Sequence, residues 1–113
     1  VESSKNMKIV IKCGGSILSN QNELAHIITG IKSLIKNGYQ PVIVHGGGPE
    51  ISQLSNKLGI KSEFKNGLRI TNTEMLEITQ MALLGITNPK LVAELNKHTI
   101  KACGLALHTL AAL

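Results

Sequence analysis

Short β-branched runs alternate along the chain with longer stretches whose apolar residues fall at helical spacing. Lys8-Ile9-Val10-Ile11-Lys12 is the first run, and Cys13-Gly14-Gly15-Ser16 follows at once. Leu24, Ile27, Ile28, Ile31, Leu34 and Ile35 then share one helical face. Asn20 or Asn22 can cap the start of that helix, and Asn37-Gly38 supplies a left-handed stop. A second run, Val42-Ile43-Val44, begins after Gln40-Pro41, where proline is tolerated as a strand's first residue. It ends at His45-Gly46-Gly47-Gly48, and Pro49 opens a further helix to about Leu58, with Ile51, Leu54 and Leu58 inward. Strand, helix and strand in about forty residues predict a parallel pair with a right-handed crossover. Both glycine turns then lie at the carboxyl edge of the sheet, where open α/β sheets bind ligands.

The pattern changes after Gly59. Glu63-Phe64-Lys65-Asn66-Gly67-Leu68-Arg69-Ile70 has Asn-Gly between two short runs, the strongest local signal for a tight hairpin. Placed after the glycine turn, such a hairpin can cover the ligand edge. Thr71 and Glu74 fit a capping box. The helix they open carries Met75, Ile78, Met81 and Ala82 on one side, Leu76, Leu83 and Leu84 elsewhere, and Gly85 past its end. Thr87-Asn88-Pro89 reads as the cap of another helix, with Leu91, Val92 and Leu95. Residues 101–107 read as a third core strand, and the apolar residues 108–113 follow it without a turn signal.

Composition narrows the function classes. Hydrophobic residues make up 42% of the 113, so a packed domain is expected. Tyr39 and Phe64 are the only aromatics, which disfavours base stacking. The net charge of +5 is scattered along the chain, so it suits a solvated surface or an anionic metabolite better than nucleic acid. Cys13 and Cys103 lie far apart and in no metal-ligand spacing, so no metal site and a reduced cytoplasmic setting are expected. No signal peptide or membrane span is expected. Residues 1–7 read as an extension and residues 8–113 as one domain.

Chemistry concentrates at the glycine turns. Backbone N–H groups there, with the positive end of a helix dipole, favour an anion. Gly46-Gly47-Gly48 is neither a P-loop nor a dinucleotide fingerprint, because both spacings are missing. Lys12 is either a solvated strand-end lysine or an ammonium stabilising a phosphoryl group in transfer. Arg69 is either an exposed strand residue or a fork for a carboxylate. His45 is a base or, more in keeping with its place, a histidine orienting the turn. Cys13 has no activating neighbour in sequence.

Val-His-Gly-Gly-Gly-Pro at 44–49, Ile-Lys-Cys-Gly-Gly at 11–15 and Asn-Gly-Leu-Arg-Ile-Thr at 66–71 resemble the N-terminal half of the N-acetylglutamate kinases, within the amino-acid kinase family. The similarity runs in order from about Lys8 to Leu105 and includes Gly85-Ile86-Thr87-Asn88-Pro89-Lys90. The resemblance implies the N-terminal lobe of the amino-acid kinase fold: a three-layer αβα sandwich with a mainly parallel sheet and a hairpin over the ligand edge. It implies ATP-dependent phosphorylation of the side-chain carboxylate of N-acetyl-L-glutamate, a step of arginine biosynthesis, with ATP and Mg2+. Lys12 would stabilise the transferring phosphoryl group, Gly14 and Gly15 would lie at the ATP phosphates, Gly46 and Gly47 would hold the substrate's acceptor end, and Arg69 would bind its carboxylate. A homodimer through the 75–84 helix is implied as well. An acceptor carboxylate with pKa about 4.3 is already ionised at neutral pH, so no general base is required.

Family members are over twice this length, and their second half supplies most of the ATP site. The expectation is a substrate lobe truncated before the ATP-binding lobe, binding ATP poorly by itself and inactive alone. The alternatives are a non-catalytic ligand-binding or dimerisation module, or the substrate lobe of a carbamate, aspartate or uridylate kinase.

Overall fold

A computed structural model of the chain describes residues 6–106. Strand β1 (Lys8–Cys13) leads through a single helical turn, α1 (Gly15–Leu18), into helix α2 (Gln21–Lys36). Asn20 is the cap: its side chain accepts from the N–H groups of Asn22 and Glu23 at 3.0 and 3.1 Å. The helix stops at Gly38, whose φ of 87° is the left-handed conformation glycine adopts without strain. Strand β2 (Gln40–His45) then pairs parallel with β1, from Lys8 opposite Gln40 to Cys13 opposite His45. That register brings the two glycine turns side by side.

Helix α3 (Gly48–Lys57) starts inside the glycine run, with Pro49 in its first turn. The hairpin forms at the expected place: β3 (Phe64–Lys65) pairs antiparallel with β4 (Leu68–Arg69). Asn66 and Gly67 both have positive φ, 54° and 79°, as a tight turn matching strand twist requires.

Helix α4 (Thr73–Ala82) is capped by Asn72, whose side chain accepts from the Met75 N–H at 2.8 Å. The expected Thr71–Glu74 box is replaced by this Asx cap one residue later. Nor does Gly85 end the helix. It lies within a π turn (Leu83–Thr87) that runs directly into α5 (Asn88–Lys97). Thr87 is helical and makes no capping hydrogen bond from its side chain, so the expected break before α5 is absent. Residues 101–106 form no strand, against the expectation of a third core strand; residue 107 lies outside the described residues. Among the described residues the parallel sheet therefore has two strands.

Two buried clusters hold the elements together. Ile28 and Ile31 of α2 meet Leu91 and Leu95 of α5 and Ile100, with Ile11 and Ile43 of the sheet packed against them. Ile51 of α3 meets Met75, Ile78 and Ala82 of α4. Helices α2 and α5 thus cover one face of the sheet. Val10, Val42 and Val44, on the other face, are 68, 40 and 50% exposed. The second helical layer expected there is not among the described residues.

Candidate functional site

The site is built from the ends of β1 and β2. The Gly46 N–H donates to the Cys13 carbonyl at 3.3 Å, so the turn after β2 is stitched to the end of β1. A Cβ built on Gly15 would lie 3.1 Å from the Gly48 nitrogen and 3.2 Å from Gly47 Cα and N. One on Gly47 would lie 2.7 Å from both Leu83 Cδ2 and Thr87 Oγ1, and 3.2 Å from Glu50 Oε2. These glycines are required by close approach of chain to chain. None of residues 46–48 has the left-handed φ that favours glycine.

Below this pair of turns lie buried polar groups. Thr87 Oγ1 and Glu50 Oε2 are shielded from solvent without a hydrogen-bond partner among the described residues. Both residues line a cavity of about 120 Å³ bounded also by Leu18, Ser19, Gln21 and Lys90. Burial pushes the Cys13 thiol up from its ordinary value of 9.0. A thiol held protonated is a poor nucleophile, which agrees with the lack of an activating neighbour.

Arg69 is half-buried and reaches from the hairpin to α3. Its Nη2 donates to the Gly48 carbonyl at 3.2 Å and to Ser52 Oγ at 3.0 Å, while Nη1 donates to Ser62 Oγ at 2.8 Å. Its guanidinium lies 4.7 Å from the centre of the Phe64 ring. The planar fork is thus held at the start of α3 by hydroxyl and carbonyl oxygens and an aromatic face. Lys12 lies opposite Val44, exposed, on the same sheet face as Val10.

The structure therefore brings together Gly14–Gly15, Gly46–Gly48 and Arg69, and places Lys12 two residues before Gly14. The sequence did not disclose Ser52, Ser62, Glu50 and Thr87 as members of this neighbourhood. Ser52 was within reach of pattern reasoning, because it falls one helical turn after Gly48. By sequence Asn88 is part of a helix cap. Its side chain instead meets His45: Asn88 Nδ2 lies 2.9 Å from His45 Nε2, and His45 Nδ1 lies 2.9 Å from the Gly46 carbonyl.

Comparison with known proteins bears on the family. The profile of the Amino acid kinase family matches residues 7–113. Acetylglutamate kinase from Methanothrix thermoacetophila is 50% identical over 98 residues, which is 87% of this chain and 34% of that protein. Acetylglutamate kinase from a Geobacillus species is 46% identical over 87% of this chain and 37% of its own length. A crystal structure of smu.665 from Streptococcus mutans UA159 superposes with a TM-score of 0.77 at 30% identity, over 88% of this chain and 40% of that one. The chain thus spans about a third of the length of the curated relatives it matches. With the family profile matched from residue 7 onward and a parallel β-α-β unit that ends in two touching glycine turns, the chain belongs to the amino acid kinase family.

Proposed function

We propose that this chain forms the substrate half of an acetylglutamate kinase, which phosphorylates the side-chain carboxylate of N-acetyl-L-glutamate with ATP in arginine biosynthesis. The observation that supports this most is the contact of the two glycine turns beside the helix to which Arg69 is bound. Phosphoryl transfer to a carboxylate must bring two anions together and offset their repulsion, and it needs little covalent chemistry from the protein. Gly46 and Gly47 would form the turn that holds the acceptor carboxylate, with the Gly47 N–H as donor at the start of α3 while the Gly46 N–H stays on the Cys13 carbonyl. Arg69 would exchange hydroxyl and carbonyl partners for a substrate carboxylate, a bidentate and charge-assisted match. Lys12 would neutralise charge on the group in transfer.

ATP, when bound, would supply the phosphoryl group. Gly14 and Gly15 are the residues that would lie at its phosphates, Gly14 with open space where a side chain would stand and Gly15 packed on the second turn. Among the described residues no cluster of three His, Cys, Asp or Glu could hold a metal. Mg2+ would therefore be held chiefly by phosphate oxygens and water, as is common for this ion.

Leu76, Met81 and Leu84 on α4 and the π turn are about half exposed, and they would form a homodimer contact. No helix among the described residues is long and apolar enough to cross a membrane. A cytoplasmic setting suits the two free cysteines.

Calorimetry with N-acetyl-L-glutamate, L-glutamate and ATP in turn tests the reading. The acetylated amino acid should bind more tightly than glutamate, and Arg69→Gln should weaken it by at least tenfold, the loss of one charge-assisted pair at about 1.5–3 kcal/mol. Equal binding of all three, or an unaffected R69Q variant, would overturn it.

A further inference from the structure

The two hydrogen bonds of His45 fix its proton. A carbonyl oxygen only accepts, so the contact between Nδ1 and the Gly46 carbonyl at 2.9 Å requires the proton on Nδ1. In the neutral ring Nε2 is then an acceptor. It faces Asn88 Nδ2 at 2.9 Å, and an amide nitrogen only donates. The two contacts demand the same tautomer. The Asn88 amide is itself confined, since a Cβ on Gly104 would overlap its oxygen. At the other end, the Gly46 N–H is committed to the Cys13 carbonyl. Both polar groups of Gly46 are therefore occupied, and the peptide plane that leads into Gly47 and Gly48 cannot turn freely.

We propose that Asn88 and His45 are positioning residues: Asn88 selects the Nδ1–H tautomer of His45, and His45 in turn locks the Gly46 carbonyl, leaving the following N–H groups free for an anionic ligand. This rests on the reading of Gly46 and Gly47 as the acceptor-side turn. It gives the π turn a task, because the turn delivers Asn88 to the histidine from a helix otherwise devoted to the core.

The test uses the full chain labelled with nitrogen-15. The imidazole nitrogen signals of His45, assigned by their loss in His45→Gln, should show Nδ1 protonated and Nε2 bare. Asn88→Asp keeps the shape but replaces the donor by an acceptor, so Nε2 should gain a proton and no longer be bare. The same variant should bind N-acetyl-L-glutamate about tenfold more weakly, short of the hundredfold that a 1 Å misplacement can cause. Asn88→Ser, which can still donate, should restore the Nδ1–H tautomer in part. A wild-type ring protonated on Nε2, or one whose tautomer is unmoved by N88D, overturns the proposal whatever the calorimetry shows. The expected tautomers in a wild-type chain that does not bind acetylglutamate support the histidine relay and overturn the functional reading instead.

Discussion

The two glycine turns look alike in sequence and differ in what each glycine does. In the first, Gly14 has open space where a side chain would go, whereas Gly15 is pressed against the backbone of Gly47 and Gly48. In the second, Gly46 has a single neighbour at 4.0 Å, whereas Gly47 is enclosed by Leu83, Thr87 and Glu50. Each turn thus has one glycine set by contact, beside one sterically free glycine in the first turn and two, Gly46 and Gly48, in the second. The contact glycines are the pair where the two turns meet, so the site is a junction of two loops packed by backbone. A residue-by-residue family resemblance treats Gly14 and Gly15 as equals; the geometry does not.

Substitution separates these roles, and Gly47→Ala should do the most harm. Its methyl group must displace both Leu83 and Thr87, an overpacking that costs about 1–3 kcal/mol. Thermal melting should show this together with lost ligand binding. Gly15→Ala should cost about 1 kcal/mol, since backbone must give by only a few tenths of an ångström. A G47A variant as stable as the wild type would break the comparison. Gly30, exposed in the middle of α2 with nothing near its missing side chain, is the opposite case. There Ala should raise stability by about 0.5–1 kcal/mol in a denaturant titration. Gly14→Ala should change stability by less than about 0.5 kcal/mol, because nothing lies where its methyl group would stand.

The thiols give the smallest and sharpest readout. Cys103 is exposed and Cys13 is buried under the stitched turns, so a thiol reagent at neutral pH should titrate Cys103 quickly and Cys13 slowly. G47A should speed the Cys13 reaction by loosening the junction. The thiol of Cys13 is raised in the folded chain, so the fold binds its proton more tightly than the unfolded chain does. The stabilisation that follows is complete below pH 9.0 and is lost as pH rises through the higher folded value. Above pH 9 the melting temperature should therefore fall less steeply with pH in Cys13→Ala than in the wild type.

Much of the fold was legible from pattern. The β1-α2-β2 unit, the stop at Gly38, the start of α3 and the Asn66-Gly67 hairpin all follow from local rules of spacing and turn chemistry. The junction between α4 and α5 was not. Gly85 and Thr87-Asn88-Pro89 are ordinary stop and start signals, yet tertiary packing of both helices outweighs them and the backbone runs on through a π turn. Lys12, the glycines and Arg69 are candidates that the sequence can offer, because their residue types are themselves the chemistry. Ser62 and Asn88 could not be named so, because hydroxyls and amides acquire a role only from what the fold sets opposite them.

The π turn also solves a problem of phase. In a straight α-helix each residue advances the side-chain direction by about 100°. Met75, Ile78 and Ala82 face α3, while Leu91 and Leu95 must face α2, two directions that one uninterrupted apolar stripe does not serve. The wider turn at Leu83–Thr87 alters the count of residues between the two faces. It works as a coupling that rotates one shaft against another without cutting either. Removing one residue there would turn α5 by roughly 100° relative to α4. The core contacts of Leu91 and Leu95 and the reach of Asn88 to His45 would then be lost in a single step.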